Sequence, residues 1–555
     1  MRGGMRGITR KYLLIAILSL VGLVGSSCSA PLLPSPVMPR VSRAQNPDEE
    51  VMSILQTEWK KLLKEDLSRE ERLAAVESYN KWLLILLRRM RYDLWHAEDI
   101  RRNGMIYRRF RAMREDLPPH RQIADVYDDI VPAPDVRTRG LEERYIQSGI
   151  GVPVVGIIPP KKAEQKDGLA PIRTRGTVST MTALLEFPDS PAEQPRLKLI
   201  PRHLHEEVQI GKRLYPLAAD FSASLEVYWN LTQIKSGRYL GLLRPQRLRD
   251  LSGLSCIERY NPHKIPVVFI HGLASSADTF IDLVNRLLND KDIRKRYQFW
   301  YYNYPTGVSW VYSAARFRQA LQDIRNRLEH GKKNSNWDRM VVIAHSMGGL
   351  ITHYNQCVEP WKMLKCAPFM RRESLALLSE KYIDKPLPAP ELEKIRSLYY
   401  FRPTKASQII YMATPHRGAP MAQRFHSILL ARLVQLPHNL VQDIFGLATL
   451  QENNLLNSPG RLADWLTSIG QLSPQSYSIR GLSPLAVQAT PTYSIIGDKG
   501  RNDTPHSSDG VVPYWSSHIS WGGESIVPSD HSVQEDPKTA EIVKKILLNS
   551  LSNKQ

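Results

Sequence analysis

The serine at position 346 stands in a sequence context that suits a nucleophile. The run 340–344 before it is apolar, and residues 350–356 after it have helical spacing. A serine on a tight strand-to-helix turn requires small residues two positions before and two positions after it, because larger ones would clash with neighbouring backbone. Ala344 and Gly348 meet that requirement. The pattern predicts a nucleophile at the carboxyl end of a buried strand, and the alternative is an ordinary helix-capping serine.

A serine hydroxyl attacks substrates at neutral pH only when a base accepts its proton and an acid orients that base. For a nucleophile on this kind of turn, the acid and then the histidine follow along the chain. We predict Asp509, in the loop after the apolar run 492–496, as the acid, with Asp498 and Asp503 as alternatives. His531, which precedes the last helical segment, is the predicted base.

Three further histidines are close to these residues in sequence. We expect His506 and His518 to be loop residues. His345 is expected to be structural or to face the substrate, because side chains next to each other on a tight turn point in different directions.

The charge that develops on a carbonyl oxygen during acyl transfer requires two N–H donors, usually from the backbone. The residue after the nucleophile, Met347, is expected to supply one. Leu273 is expected to supply the other, because it follows the apolar run 266–270 and the preceding Gly272 permits a close backbone approach.

The segments that carry these residues alternate between strand and helix patterns. Apolar strands are predicted at 266–270, 299–304, 340–344, 408–413 and 492–496, and helices at 279–289, 311–328 and 537–551. Near-continuous apolar strands separated by helices predict a mostly parallel sheet with helices on both faces. The segments 358–406 and 421–490 interrupt the alternation after strand ends, so we predict that they are helical lids.

The N-terminus has the order of parts of an export signal: a basic start, an apolar run at 13–24 and small residues around Cys28. Cys28 is similar to the lipidated cysteine of bacterial lipoproteins, although Gly25 stands where leucine is usual. We therefore predict a signal peptide at 1–28 and a membrane-anchored lipoprotein of the cell envelope. Plain secretion and an uncleaved anchor are the alternatives.

The rest of the chain divides by composition. A proline-rich tether is predicted at 29–46, a helical hairpin at 47–120 and a small strand-rich segment at 121–261, which includes a strand over 214–229. The catalytic domain is predicted at 262–551. The expected fold class is thus α/β, with an N-terminal α+β extension and lid insertions.

The composition excludes several classes of protein. Apolar residues form 42% and charged residues 23% of the chain, as in globular proteins and unlike disordered or fibrous ones.

The net charge is +20, and nine arginines lie between Arg88 and Arg114. Because an export signal would carry the protein out of the cytoplasm, nucleic acid is not expected as a partner. The expected partner is an anionic membrane surface. The alternative is a solvated helix face, paired with acids such as Asp93 and Glu98.

Cysteine usage is sparse, with only three residues besides Cys28. Cys357 and Cys366 are expected either to pair or to remain free thiols. The sequence has no paired CxxC motif and no HExxH motif, so no metal site and no cofactor are expected.

Four blocks of sequence together resemble a known superfamily. They are Val268-Phe-Ile-His-Gly-Leu273, Ala344-His-Ser-Met-Gly-Gly349, Ala413-Thr-Pro-His-Arg-Gly418 and Ser508-Asp-Gly-Val-Val-Pro513. In this order they resemble the α/β-hydrolase lipases and esterases, in particular bacterial lipases and GPI-inositol-deacylase-like hydrolases. The resemblance covers 262–551 and implies the α/β-hydrolase fold, the triad Ser346, Asp509 and His531, and the oxyanion donors Leu273 and Met347. Bacterial lipases usually have a calcium-binding aspartate just after the histidine; here Ser532 follows, so we expect no calcium.

The expected activity is that of a serine hydrolase that cleaves carboxylic esters, in particular lipidic ones, through an acyl-enzyme. Two alternatives remain open from the sequence. One is an acyltransferase or amide hydrolase that uses the same triad. The other is a non-catalytic envelope scaffold. The natural substrate and the oligomeric state are left open.

Overall fold

A computed structural model describes most of the chain beyond the N-terminal segment. The described residues are 47–95, 111–114, 127, 129–138, 140–158, 176–190, 193–231, 253–258, 260–328, 335–366, 396–420, 468–500 and 504–552. The predicted signal peptide and tether lie outside them, as do 367–395 and 421–467 of the two predicted lids. The lids therefore stay a prediction. No helix in the described part of the chain is long and apolar enough to span a membrane.

The N-terminal part combines two helices with a five-stranded sheet. The helices are α1 (Pro47–Leu62) and α2 (Arg69–Trp95). The strands of this part are β1 (Arg111–Arg114), β2 (Asp129–Pro132), β3 (Ile146–Gln147), β4 (Val152–Ile158), β5 (Thr177–Glu186), β6 (Arg196–Pro201), β7 (Glu207–Ile210), β8 (Arg213–Pro216) and β9 (Ala219–Asp220). The large sheet has the order β1-β6-β5-β4-β2, while β3 pairs with β9 and β7 with β8.

The two helices pack on one face of this sheet. Leu55 and Leu83 from the helices share a core with Val154 and Leu184 from the strands. The other face, which includes Val155, packs into the core of the larger sheet described next. The two sheets are thus joined by one apolar layer.

The second sheet has seven strands, all parallel except the first. They are β10 (Gly253–Cys256), β11 (Ile265–Ile270), β12 (Tyr297–Asn303), β13 (Val341–His345), β14 (Gln408–Met412), β15 (Thr492–Gly497) and β16 (Gly523–Val527), in the order β10-β12-β11-β13-β14-β15-β16. The helices of the remaining chain are α3 (Phe221–Leu231), α4 (Ile281–Leu288), α5 (Lys291–Arg296), α6 (Trp310–Leu328), α7 (Met347–Gln356), α8 (Ser468–Gln471), α9 (Tyr477–Leu482), α10 (Tyr514–Ser517) and α11 (Pro537–Ser552).

Helices cover both faces of this sheet, because successive side chains of β11 pack alternately against helices on one face and on the other. Val267 and Phe269 pack with α3, α4 and α11 on one face. Val268 and Ile270 pack with α6 and α7 on the other. Successive side chains of a strand point to opposite faces, so an all-apolar strand indicates a sheet buried on both sides. The predicted mostly parallel α/β sheet is confirmed at this level.

Register places the predicted site residues at one edge of the sheet. Ile270 of β11 pairs with Ala344 of β13, so the loop after β11 lies beside the turn after β13. The chain segments after β15 and β16 end at the same edge, because these strands are parallel to β13.

Three predicted elements differ from the structure. The second helix ends at Trp95, and Arg111–Arg114 forms a strand beside β6 rather than helix. The sheet of the catalytic part already includes β10, which lies before the predicted boundary at 262. The segment 214–229 is not one strand: helix α3 begins at Phe221. The Asp220 side chain accepts a hydrogen bond from the N–H of Ala223, a helix cap that overrides the apolar run.

Two described arginines of the predicted cluster, Arg88 and Arg91, are ion-paired. The guanidinium of Arg88 lies 2.6 Å from a carboxylate oxygen of Asp135, and that of Arg91 lies 3.0 Å from Asp129. These two partners lie on the neighbouring strand β2 and on the turn after it. Glu98, named in the alternative, lies outside the described residues. Four further arginines lie outside the described residues: Arg101, Arg102, Arg108 and Arg109.

Among the described cysteines, none forms a disulfide. Cys256 and Cys357 are buried and Cys366 is exposed, all as free thiols. Burial raises the pKa of the Cys357 thiol, which makes it an unreactive core residue.

Candidate active site

Ser346 lies on a strained turn between β13 and α7. Its backbone angles are φ 51° and ψ −123°, in the left-handed region that side chains other than glycine rarely adopt. Its N–H donates to the carbonyl of Met412 at 2.8 Å. A Cβ on Gly348 would stand 2.3 Å from the carbonyl oxygen of Ile270, so this position accepts only glycine. The requirement for small residues around the serine therefore has a direct steric cause.

The imidazole of His531 connects Ser346 to Asp509. Nε2 of His531 lies 2.9 Å from Oγ of Ser346, and Nδ1 lies 2.7 Å from Oδ2 of Asp509. The carboxylate can only accept, so Nδ1 carries the proton and Nε2 is free to accept the serine proton. The structure thus brings together the three residues predicted as a triad, from positions up to 185 residues apart.

The carboxylate of Asp509 is fixed from its other side. Oδ1 accepts hydrogen bonds from the N–H groups of Val511 at 2.7 Å and Val512 at 2.6 Å. The turn that presents these donors contains Gly510 at φ +94°. Because Asp509 is buried, with 2% of its surface exposed, these donors replace water around the charge.

The alternative residues are placed elsewhere. Asp498 is buried in the same region, but the carboxylate that contacts His531 is that of Asp509. Asp503 lies outside the described residues. His518 pairs with Glu524 at 2.8 Å, and His506 is exposed on its loop.

The loop after β11 lies against the nucleophile. A Cβ built on Gly272 would stand 2.8 Å from Cβ of Ser346. The phenol of Tyr304 donates to the carbonyl of His271 at 2.6 Å, and the two rings stack with centroids 4.5 Å apart. Ala274, which follows Leu273 in the same loop, donates its N–H to the side-chain hydroxyl of Thr306 at 3.2 Å. These contacts hold the segment that contains Leu273 beside the serine.

Gly272→Ala is expected to lower kcat by about 10²-fold, because the added methyl group would displace the loop from Ser346 and misplace an oxyanion donor. The measurement is kcat for a soluble p-nitrophenyl ester, with a melting curve to show that the fold persists. Unchanged turnover in a folded variant would contradict this role of the loop.

His345 links the nucleophile turn to the loop of the catalytic histidine. Its Nε2 donates to the carbonyl oxygen of His531 at 2.8 Å. Burial and, to a smaller extent, the neighbouring His531 lower the pKa of His345 to about 3, so the ring is neutral at physiological pH. The sequence indicated only that this side chain points away from Ser346; its partner, 186 residues away, is visible in the structure alone.

A second pair of buried histidines lies between α7 and the loop after β14. Nδ1 of His353 and Nδ1 of His416 are 3.0 Å apart, so one ring donates to the other. Burial lowers the pKa of His353 to about 4 and that of His416 well below its usual value. Sequence analysis did not single out this pair, because the two residues are on different elements.

These three neutral histidines predict a loss of stability in acid. An unfolded histidine has a pKa of about 6.5, so below that pH the unfolded chain binds protons that the native state does not. The free energy of unfolding is therefore greatest above pH 6.5 and falls toward pH 4, by up to about 1.4 kcal/mol per pH unit for each histidine. His353→Gln is expected to make this slope shallower in urea unfolding at pH 7, 6 and 5.

The matched control is His506→Gln, which removes an exposed histidine and should leave the slope as in the parent. An equally steep slope in His353→Gln and the parent would contradict the assignment of acid sensitivity to this pair.

No group of three or more metal-binding side chains converges anywhere in the described ranges. After His531 the chain continues into a 3₁₀ turn, Val533–Glu535, in which Val533 and Gln534 are buried.

Comparison with known proteins yields matches among solved structures but none by sequence. No protein-family model matches the sequence, and no curated protein matches it. Solved structures similar to about half of the chain include Staphylococcus hyicus lipase, with 16% identity and a TM-score of 0.33, over 53% of this chain and 97% of that one. Bacillus licheniformis lipase BlEst2 has 15% identity and a TM-score of 0.27, over 53% and 95%. EstA from Clostridium botulinum has 13% identity and a TM-score of 0.29, over 51% and 88%. At these scores the likeness is coarse, and the functional argument rests on the site itself.

Proposed function

We propose that the protein is an α/β-hydrolase that cleaves carboxylic esters through Ser346, His531 and Asp509. The observation that carries the proposal is the continuous hydrogen-bonded path from Oγ of Ser346 through His531 to Asp509. A strained serine at the start of a helix, with a base and a buried acid in line, is the arrangement that acyl transfer requires. The strand order of the seven-stranded sheet, with its antiparallel first strand, supports the same fold.

The chemistry follows from the direction of these hydrogen bonds. Oγ of Ser346 attacks the ester carbonyl carbon while its proton passes to Nε2 of His531. Backbone N–H groups of Leu273 and Met347 stabilise the tetrahedral oxyanion. When this intermediate collapses, the leaving alcohol takes the proton from His531 and the acyl group stays on Ser346. Water then attacks the acyl-enzyme, with His531 as base, and releases the acid and the free serine.

The reaction type is tested by comparing matched substrates. A panel of p-nitrophenyl esters, the corresponding anilides and phospholipids identifies the preferred bond and acyl length. Ester hydrolysis is expected to exceed anilide hydrolysis, with turnover rising for longer acyl chains. Transfer of the acyl group to an added alcohol in preference to water would instead identify an acyltransferase. Faster cleavage of the anilides than of the esters would identify an amide hydrolase.

The lipidic nature of the substrate and the envelope location belong to the same proposal. Their support is the predicted lipoprotein signal at 1–28 and the predicted lids, which lie largely outside the described residues. A protein held at a bilayer meets its highest concentration of esters in the lipids themselves.

Cys28→Ser is expected to block lipid attachment, so that the protein leaves the membrane fraction or remains unprocessed. Fractionation of cells and the intact mass of the protein measure this. An unchanged mass together with unchanged membrane association would contradict lipidation and favour an uncleaved N-terminal helix.

A further inference from the structure

An apolar groove on the N-terminal part contains the three most exposed large apolar side chains of the described residues. They are Leu73 at 60%, Ile146 at 61% and Leu214 at 66% exposure, from α2, β3 and β8. The groove has a volume of about 960 Å³. Exposed apolar side chains that converge from three separate segments indicate an interaction surface rather than scattered surface residues.

Helix α2 contributes apolar side chains to this groove. Its buried face includes Tyr79 and Leu83 in the core. Val76 and Leu84 are half-buried at the edge of that core and also line the groove, and Leu73 lies beside them on the same side of the helix. The apolar face of α2 therefore extends from the core into the groove, where Leu73 is exposed.

The rim of the groove is basic. The charged side chains that line it are Arg69, Arg72, Lys81, Arg213 and Glu77, four cations against one carboxylate. Arg213 donates to the carbonyl of Glu65 at 2.7 Å and Arg72 to that of Leu67 at 2.5 Å, so two of the cations are held in place without loss of charge. The complementary partner is therefore anionic as well as apolar.

The backbone along the floor is already hydrogen-bonded within the protein. The N–H of Ile150 donates to the carbonyl of Pro216, and the N–H of Ala218 donates to the carbonyl of Ile150. The side-chain amide of Asn80 donates to the carbonyl of Gly149 at 2.8 Å and accepts from the N–H of Gly151 at 2.7 Å. An added peptide strand would find few free partners at these positions, whereas a hydrocarbon chain needs none.

We propose that this groove docks the protein onto an anionic lipid bilayer, with Leu73, Ile146 and Leu214 entering the acyl region and the basic rim contacting the headgroups. The surface differs from the arginine cluster predicted from the sequence, of which Arg88 and Arg91 are engaged by aspartates. The proposal is independent of the ester hydrolase activity.

The test is photocrosslinking of the full-length protein to vesicles, mapped by mass spectrometry. Two kinds of vesicle are compared: anionic vesicles that contain phosphatidylglycerol and neutral vesicles of phosphatidylcholine alone. Each contains a trace of diazirine-bearing lipid. Crosslinks to 69–84, 146–153 and 213–218 are expected to be at least about fivefold more frequent with the anionic vesicles. They should decline as salt rises, because exposed charges are screened beyond about 8 Å at physiological ionic strength. Local mapping keeps this result separate from anchoring by the N-terminal segment.

Two double variants test the two halves of the surface. Leu73→Ser with Leu214→Ser, and Arg69→Gln with Lys81→Gln, are each expected to remove most of these crosslinks. The matched controls are Leu204→Ser and Arg196→Gln, which change exposed residues outside the groove and should leave crosslinking unchanged. A melting curve and turnover of a soluble ester show that each variant is folded.

Three results would overturn the proposal. Equal crosslinking by both kinds of vesicle would show that the rim does not select anionic lipid. Labelling by a monomeric diazirine fatty acid but not by vesicles would identify a site for single lipids. Labelling by an acidic amphipathic peptide but not by lipid would identify a protein interface.

Discussion

Ser346→Ala is expected to lower kcat for ester cleavage by about 10⁴- to 10⁶-fold and to abolish labelling by a fluorophosphonate probe. Without Oγ no acyl-enzyme forms, and His531 has no hydroxyl to deprotonate. Binding and oxyanion stabilisation alone leave only a residual rate. Active-site titration with the probe, followed by peptide mapping, measures the effect directly.

The matched control is Ser190→Ala, which removes an exposed hydroxyl from a loop of the N-terminal part. It should retain the labelling and turnover of the parent. Persistent labelling in Ser346→Ala would place the nucleophile at another residue and would remove the basis of the proposed function.

Asp509→Asn is expected to lower kcat by about 10⁴-fold while the fold persists. The amide oxygen of asparagine can still accept from Val511 and Val512, so the loop keeps its bonds. The amide nitrogen then faces Nδ1 of His531 and favours the tautomer in which Nε2 carries the proton. In that tautomer Nε2 cannot accept the proton of Ser346, and the chemical step fails.

Asp498→Asn is the matched comparison, because Asp498 is also buried and was one of the two alternatives for the acid. Its turnover is expected to remain close to that of the parent, with any change confined to the melting temperature. If Asp498→Asn loses activity and Asp509→Asn does not, the acid is Asp498 and the hydrogen bond from His531 to Asp509 is not the functional one.

Local patterns in the sequence were reliable where one physical cause dominated. The strands 340–344 and 492–496 are buried on both faces, so their apolar character alone predicted them, and the structure has β13 and β15 there. The pattern was ambiguous over 214–229, because a buried helix and a buried strand are both apolar throughout. The cap at Asp220 decided that segment in favour of a helix.

The N-terminal region shows the same limit. A hairpin of two helices was predicted over 47–120, and both helices are present. Arg111–Arg114 was included in the helical hairpin predicted over 47–120. Its strand conformation comes from pairing with β6, more than 80 residues further along, and pairing of that kind leaves no local pattern.

The sequence by itself determined which residue types stand at the strand ends: a serine between small residues, a glycine after a buried strand, and an aspartate and a histidine in the right chain order. Only the tertiary structure decided that Asp509 rather than Asp498 contacts His531, that His345 holds the His531 loop, and that an apolar groove remains between α2 and β8. The physical reason is that a turn is set by neighbours in the chain. Contacts between loops depend on strand register and on the path of the backbone, which distant residues fix together.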